Sequence, residues 1–408
     1  MSSGSSIAAA PPESAATSRN KREYFVLFGL PIGLPQIIAG LMLLAFLGQC
    51  LWLAVHSPLR EMELAQVQQG QAFFSQTMVP ADSAHSPLTA LLVGVAVGFH
   101  SDALEGERAP AMTRAPRAWR WRARLPFIAI GLLLGASLWY VARRLYGNTG
   151  GYIALVLYAF SPDIILRAAN VHPTIVAAWG AFGAVFTAIA VSHTLYAPRE
   201  VVLWNWKRIL LLGLSLALAA GSQFALALMA ALALGFMLYL ASERRGAALT
   251  IFAAAGAVFV VLLCAFYRFD LHALAASVGG INTRDFAPHL LVRPLTYNLV
   301  AIFLMRMPGV LVMLAAALVA FVAWRRTRFF GTAAPLLVWA VVMLLGITVP
   351  HLGGYNLFVV ALPFAFVFIA GVFTDLLETR YSSLVLGVLA GVLLTHVVFN
   401  VGALFRVR

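Results

Sequence analysis

The stretch LPQIIAGLMLLAFLGQCLWLAV (Leu34–Val55), followed by SPLREMELAQVQQGQAFF (Ser57–Phe74), decides how this chain is organised. The first run is apolar over the ~20 residues that an α-helix needs to cross a hydrocarbon core. The second run is amphipathic, and the next long apolar span begins only after Arg124. Connections in compact proteins are usually short. A long polar insert beside the first span therefore predicts a site at the membrane surface.

The remainder of the sequence repeats the apolar pattern. Of its 408 residues, 62% are hydrophobic and 11% are charged, and the mean hydropathy is +0.90; soluble domains lie far from these values. The pattern predicts an all-α polytopic membrane protein with about eleven spans. A disordered cytoplasmic tail (residues 1–23) is expected to precede a single multi-span domain (residues 24–408). The predicted spans are Leu34–Val55, Leu125–Leu145, Gly151–Arg167, Thr174–Leu195, Ile209–Gly221, Gln223–Ala241, Ala247–Phe266, Pro308–Trp324, Ala333–Val349, Tyr355–Phe373 and Ser382–Leu404.

The arginine clusters predict the orientation of these spans. Arg19, Lys21 and Arg22 precede the first span, which places the N-terminus in the cytoplasm by the positive-inside rule. Later basic clusters fall at alternate span ends, and this leaves the insert (residues 57–124) and a second loop (residues 267–297) on the outer face. We expect a multi-pass protein of a bacterial inner membrane with its site on the periplasmic or outer face.

One basic run does not fit this orientation. Six arginines of the insert would lie outside: Arg108, Arg114, Arg117, Arg120, Arg122 and Arg124. A crossing by Ser86–His100 would return them to the cytoplasm, but this segment is short and carries Pro87 near its start. An amphipathic or re-entrant segment is the preferred interpretation. Outward arginines then need an anionic partner, for which a lipid or isoprenoid phosphate is suitable.

Several function classes are disfavoured by the sequence. The net charge of +13 is explained by the arginines that set the orientation of the spans. The sequence lacks the pattern of basic residues interleaved with aromatic residues that would indicate binding of nucleic acid. The sequence contains no CxxC pair, HExxH, Walker loop or GxGxxG run. No cofactor is certain. A divalent metal is possible, and it would require at least two carboxylates together.

Glu63 is the main candidate for chemistry in the insert. Ser57 and Pro58 resemble a helix N-cap and first position. On a helical wheel over Leu59–Phe74, Glu63, Gln66 and Gly70 fall inside an apolar sector that includes Met62, whereas Glu61 lies on the polar face. A carboxylate in such a sector requires a partner or a ligand. Glu63 is therefore either an acid or base, or one half of a salt bridge with an arginine.

Seven short motifs, taken in order, resemble the C-type membrane glycosyltransferases, in particular the protein O-mannosyltransferases and aminoarabinose transferases. No single motif is specific, and the order and spacing over residues 40–376 carry the resemblance. The motifs are ELAQVQQG (Glu63–Gly70), HSPL (His85–Leu88), ARLPF (Ala123–Phe127), ARRLYG (Ala142–Gly147), LYAFSPD (Leu157–Asp163), FLMRMP (Phe303–Pro308) and GYNLFVVALP (Gly354–Pro363).

The resemblance implies transfer of a sugar from a polyprenyl-phosphate donor to an acceptor of unknown kind on the outer face, beside membrane lipid. The acceptor hydroxyl needs a carboxylate base, for which Glu63 is the first candidate and Asp163 and Asp285 are the next. The leaving phosphate needs cations, for which the candidates are Arg306, Arg293, Arg284 and Arg124. Further candidate site residues are Gln66, His85 and His172. The alternative for each of these arginines is contact with lipid headgroups only.

Four positions depart from the family pattern. The first residue of the family's Asp-Glu pair is Met62, the Thr-x-Asp context reads His172-Pro-Thr174, the later Arg-Tyr is Asn356-Leu357, and Val360 replaces a proline. A catalytically inactive or scaffolding relative is therefore an alternative. A lipid-linked substrate transporter or flippase is another, although the sequence has no convincing internal repeat of the kind typical of transporters.

Overall fold

The computed structural model describes residues 25–27, 30–75, 86–97, 117–196, 206–279, 301, 305–323, 329–348 and 354–406. Within these residues the chain is almost entirely helical. A short antiparallel hairpin, β1 (Phe25–Leu27) and β2 (Leu30–Ile32), precedes the first helix, with Phe25 opposite Ile32. The helices are α1 (Leu34–His56), α2 (Glu61–Ser75), α3 (Pro87–Val97), α4 (Arg117–Ala159), α5 (Pro162–Ala168), α6 (Pro173–Thr194), α7 (Trp206–Ser222), α8 (Leu228–Leu240), α9 (Arg245–Phe266), α10 (Leu271–Gly279), α11 (Pro308–Ala323), α12 (Phe329–Thr348), α13 (Tyr355–Leu377) and α14 (Ser382–Arg406).

Seven of the described helices are long and apolar enough to cross a membrane. The prediction of an all-α polytopic protein is thereby confirmed, while the number of eleven spans stays a prediction. Helix α13 is the centre of the bundle, since every side chain from Leu357 to Thr374 is buried. Helices α9 and α14 lie at the periphery and expose long apolar faces, as expected of helices that contact lipid.

Helix α4 joins two of the predicted spans. The spans Leu125–Leu145 and Gly151–Arg167 correspond to two helices within this segment, which is interrupted at Gly147, whose φ is +80° and whose ψ is −173°. A φ in this region is unstrained only for glycine, so Gly147 allows the chain to reverse direction here. Helix α4 also begins at Arg117, so the last arginines of the predicted insert belong to this helix and not to a loop.

The predicted span Gly151–Arg167 is broken near its outer end. Helix α4 ends at Ala159, and Ser161 is extended with ψ 116° before Pro162 starts α5. A proline disfavours helical geometry in the residue before it, so the break follows from the Ser-Pro pair. The side-chain amide of Gln49 donates a hydrogen bond to the carbonyl of Ala159 (3.2 Å). The break therefore sets α5, and Asp163 within it, at its own angle.

The insert forms two short helices that pack closely together. A side chain at Gly70 of α2 would meet the backbone oxygen of Ala90 in α3 at 2.6 Å, so only glycine fits this contact. Ser86 Oγ, just before α3, donates to the carbonyl of Gly221 at the end of α7 (2.8 Å). Helix α3 is about 16 Å long, roughly half of the hydrocarbon thickness. Its length favours the interpretation in which this segment does not cross the membrane.

The start of α2 differs from the prediction. Ser57 is the C-cap of α1 and not the N-cap of α2, which begins at Glu61. The carbonyls of Ser57 and Pro58 accept hydrogen bonds from Arg124, so these residues stay outside a helix. The wheel also placed Met62 in the apolar sector, but this side chain is 79% exposed, whereas Glu63 and Gln66 are buried.

Candidate active site

Glu63 and Arg124 form a buried ion pair between α2 and α4. Glu63 Oε2 lies 2.7 Å from Arg124 Nη2, and Glu63 Oε1 accepts from Arg124 Nε at 3.0 Å. The side chains are 4% and 0% exposed, respectively. Planar bidentate pairing of this kind is the strongest geometry between an arginine and a carboxylate.

Both members of the Glu63–Arg124 pair have their hydrogen-bonding groups occupied. Glu63 also accepts from the backbone N–H of Arg60 (3.0 Å) and of Val171 (2.9 Å), so about all four lone-pair sites of the carboxylate are used. The Arg60 contact is the backward half of a capping box at the start of α2. The remaining guanidinium N–H groups donate to the carbonyls of Ala54, Ser57 and Pro58.

These contacts bear on the roles predicted for Glu63 and Arg124, a general base and a phosphate ligand. With all five guanidinium donors engaged, Arg124 has none left for a lipid phosphate. Glu63 has no lone pair directed at an acceptor hydroxyl. The geometry fits the alternative of a salt bridge to an arginine, which here ties together the end of α1, the starts of α2 and α4, and the segment before α6.

Asp163 is the centre of a second polar group, on α5. Its side chain is 2% exposed, and Oδ1 lies 3.2 Å from Arg306 Nη1. The hydroxyl of Tyr355, the first residue of α13, donates a short hydrogen bond to Oδ2. Two of about four lone-pair sites are thus used by described residues. The three residues come from α5, the segment before α11 and the start of α13, so tertiary packing alone brings them together.

Arg306 joins the buried carboxylate to the surface. Its guanidinium carbon lies 5.4 Å from the centre of the Tyr355 ring, and half of its side chain is exposed. Partial burial lowers the pKa of Arg306, but the nearby Asp163 and Tyr355 together outweigh this effect, so its pKa is raised. Arg306 is therefore a permanent cation that contacts Asp163 and keeps half of its side chain exposed.

Further positive charge surrounds Asp163. Arg167, one helical turn along α5, lies within electrostatic range of Asp163, Tyr355, Arg306 and Arg60. Its Nε atom is buried with no hydrogen-bond partner in the part of the chain that the structure describes. Arg167 and Arg306 both lie near Asp163, so among the described residues the positive charges of this group exceed its one carboxylate. A group with this balance is suited to an anion.

His172 lies next to this group and caps α6. Its Nδ1 accepts from the backbone N–H of Thr174 (3.2 Å) and lies 2.8 Å from Thr174 Oγ1. Burial, together with the charges of Arg167 and Arg60, lowers the pKa of His172 well below its ordinary value. The ring is therefore neutral at pH 7. Asp163, Arg167, His172, Arg306 and Tyr355 are called the Asp163 cluster below.

The remaining candidates divide into two groups. Gln66 is buried in α2, and its Oε1 has no hydrogen-bond partner among the described residues. His85, Arg284, Asp285 and Arg293 lie outside the described residues. No three His, Cys, Asp or Glu side chains converge as metal ligands within the described ranges, and the possible divalent metal stays untested.

Three residues of the site were missed by sequence reasoning. Arg167 was assigned to the end of an apolar span, Tyr355 to the start of another, and Arg60 was treated as a surface charge. A usable signal was present for the first two, because each is a polar side chain at the end of a predicted span, Arg167 five residues after Pro162 and Tyr355 directly after Gly354. The position of Asp163 between them is not visible in the sequence.

Comparison with known proteins gives two matches. A family model described as dolichyl-phosphate-mannose-protein mannosyltransferase matches residues 117–267. The structure is similar to the archaeal oligosaccharyltransferase AglB from Archaeoglobus fulgidus, solved in complex with an inhibitory peptide and a dolichol-phosphate, with a TM-score of 0.56 and 12% sequence identity. No curated protein sequence matches the chain significantly.

The structural match covers 91% of this chain and 55% of AglB, so the chain spans about half the length of that protein. At this identity the likeness concerns the fold. The chain has the fold of the C-type membrane glycosyltransferases and is an integral, multi-pass membrane protein, which confirms the resemblance predicted from the sequence motifs at the level of the fold.

Proposed function

We propose that this protein is a membrane glycosyltransferase that transfers a hexosyl or pentosyl group from a polyprenyl-phosphate donor to an acceptor hydroxyl. The observation that carries the proposal is the pairing of a buried carboxylate, Asp163, with a half-exposed arginine, Arg306, at the end of a membrane bundle. The matched family and the bound dolichol-phosphate of AglB support a lipid-phosphate donor.

Asp163 is the proposed general base and Arg306 the main phosphate ligand, with Arg167 beside it. Asp163 takes the proton of the acceptor hydroxyl while the oxygen bonds to the anomeric carbon. The bond from that carbon to the phosphate oxygen breaks, and its electron pair leaves with the polyprenyl phosphate. The arginines offset the negative charge that develops on this oxygen.

Glu63 was the first candidate for the base, and its contacts support a different role. All of its lone-pair sites already accept hydrogen bonds, whereas Asp163 keeps capacity for an acceptor. We assign Glu63 and Arg124 the task of holding the insert against the bundle. Val171, bonded to Glu63, precedes His172 directly, so this pair also positions one edge of the Asp163 cluster.

The proposed site faces the outside of the membrane, and the proposed location is a bacterial inner membrane. The alternating arginine clusters support this orientation. Arg143 and Arg144 lie near the kink of α4, and the Asp163 cluster follows the outward half of the same helix. The resemblance to aminoarabinose transferases supports the bacterial assignment.

An inactive relative is the second candidate function. The observation in its favour is Met62, which occupies the first position of the family's acidic pair and is 79% exposed. Loss of an acidic group there removes one possible base. The experiment below separates this candidate from the first, since an inactive relative has no transfer for a substitution to remove.

Asp163→Asn tests the proposed base. The amide keeps the shape and the contact with Tyr355 but cannot take a proton, so we expect transfer from labelled polyprenyl-phosphate sugars to fall by about 10²–10⁴-fold. Thermal unfolding should be close to wild type. Wild-type transfer rates in a well-folded Asp163→Asn protein would exclude Asp163 as the base and leave Glu63 or Asp285.

A further inference from the structure

We infer that the Asp163–Arg306 contact is an exchangeable latch, so that donor phosphate must bind before Asp163 can act on the acceptor. The inference rests on the proposed function and deepens it by adding an order of binding. The inference depends on one side chain having two partners, the donor phosphate and Asp163. Arg306, the proposed phosphate ligand, is itself bound to the proposed base.

The first step concerns access to Asp163. Its side chain is only 2% exposed, and its two oxygens are covered by Arg306 and by Tyr355. An acceptor hydroxyl must approach a base to within about 2.6–3.2 Å. In this arrangement Asp163 is closed to an acceptor, and Arg306 is the half-exposed part of the cover.

The second step concerns the strength of the contact. Arg306 bonds Asp163 through Nη1 at 3.2 Å, while Arg124 bonds Glu63 through two nitrogens at 2.7 and 3.0 Å. A phosphate offers arginine a bidentate and more highly charged partner than one carboxylate oxygen. The donor therefore competes well for Arg306, and a shift of its guanidinium toward the lipid uncovers Oδ1.

The third step concerns what stays in place. Tyr355 holds Oδ2 from the first turn of α13, the most buried helix of the bundle. Its ring also lies beneath the guanidinium of Arg306, so Arg306 can turn on this ring without losing all contact. The carboxylate keeps its orientation when Arg306 leaves. In the proposed latch, Arg306 therefore moves while Tyr355 and Asp163 stay in place.

A double-mutant cycle tests the latch. Binding of decaprenyl phosphate to the full-length, detergent-purified protein is measured without acceptor for wild type, Asp163→Asn, Arg306→Gln and the double variant. Releasing Arg306 from its carboxylate should tighten binding about 10-fold in Asp163→Asn, because a charge-assisted bond no longer competes with the phosphate. In the Arg306→Gln background the same change should alter binding by less than about 2-fold.

The outcomes separate the latch from simpler explanations. An equal gain in both backgrounds would show only that Asp163 repels phosphate through space, and no gain would show that the ion pair does not compete; either result overturns the latch. Asp163→Ala repeats the measurement if Asp163→Asn folds poorly. Glu61→Gln removes an exposed carboxylate from α2 and should leave binding unchanged.

Two further probes identify the ligand chemistry. Inorganic phosphate should bind more weakly than decaprenyl phosphate but with the same coupling between Asp163 and Arg306. Phosphatidylglycerol that binds as tightly and with equal coupling would make this a general headgroup site and contradict the inference. The cycle needs no turnover, so it can fail while Asp163→Asn still abolishes transfer, and the reverse can also occur.

Discussion

Two acid–arginine pairs lie near the same end of the bundle among the residues that the structure describes, and their geometries differ in almost every respect. The Glu63–Arg124 pair is bidentate, fully buried and saturated with hydrogen bonds. The Asp163–Arg306 pair has one contact at 3.2 Å and a half-exposed arginine. A saturated pair can only hold structure, whereas an unsaturated pair can exchange partners. The number of hydrogen bonds that a carboxylate can still accept is therefore a better guide to its role than its burial.

The largest expected effect comes from breaking the saturated pair. Glu63→Gln leaves Arg124 buried without a counter-charge, and removal of one partner from such a pair destabilises a protein by on the order of 3–5 kcal/mol. The melting temperature of the detergent-purified protein should fall clearly in Glu63→Gln and in Arg124→Gln. The double variant should lose less than the sum of the two.

Glu61→Gln is the matched control, since Glu61 is exposed in the same turn of α2. Its melting temperature should stay near that of the wild type, because surface substitutions usually change stability by no more than about 0.5 kcal/mol. Full thermal stability in Glu63→Gln together with complete loss of transfer would reverse our assignment and make Glu63 the base.

A smaller effect, on activity and not on stability, is expected at the unsaturated pair. Arg306→Ala should reduce kcat/KM for the donor by about 10–100-fold, because a hydrogen bond to a charged group contributes about 1.5–3 kcal/mol. Arg306→Lys should lose less, since it keeps the charge but not the planar fork. Steady-state kinetics with a labelled donor would measure both variants.

The melting temperature of Arg306→Ala should change much less than that of Arg124→Gln, because Arg167 stays within electrostatic range of Asp163 and Tyr355 still donates a hydrogen bond to it. Donor use at the wild-type level in both Arg306 variants would make this residue a lipid-headgroup contact. The phosphate ligands would then be sought at Arg284 and Arg293.

The smallest effect concerns His172, which stands between the two pairs. Its pKa is lowered in the folded protein by burial, so the unfolded chain binds more protons as the pH falls below about 6.5. Stability from the neutral ring is therefore present at and above that pH and is lost toward pH 5, with a slope of at most about 1.4 kcal/mol per pH unit. Melting temperatures across this range would show it.

His172→Asn is the variant that isolates this titration. Asparagine can accept the Thr174 N–H as an N-cap but does not titrate, so its melting temperature should depend less on pH between 6.5 and 5. An identical pH dependence in both proteins would assign the effect to other groups.

The sequence predicted the helical class because apolar runs of about 20 residues can be recognised without any structure. It also predicted correctly that Glu63 faces inward and Glu61 outward, since both sit on one regular helix. It failed at Met62, which is exposed, and at Ser57, where the carbonyls of Ser57 and Pro58 bind Arg124 and keep the chain out of a helix. A distant side chain decided that boundary, and local propensity could not indicate it.

For each carboxylate, the sequence predicted the need for a partner but not the identity of that partner. That Glu63 required a cation followed from the cost of burying a charge, but the choice of Arg124, 61 residues away, did not. Asp163 was only a second candidate for the base in the sequence analysis. Tyr355 reaches it across 192 residues, a separation at which no local pattern carries information.

The amino-acid sequence was enough to predict that the chain lies in a membrane, that it is helical and that each buried charge needs a partner. These properties depend on hydrophobicity and on the period of a helix. Only the tertiary structure decided which charge met which, because that depends on the angles set by the Ser161-Pro162 break, the Gly147 kink and the contact between α2 and α3 at Gly70. Among the described residues, the hydrogen-bonding capacity of Glu63 is filled and that of Asp163 is not. Packing geometry, and not composition, is therefore what distinguishes the carboxylate that we propose to be structural from the one that we propose to be the base.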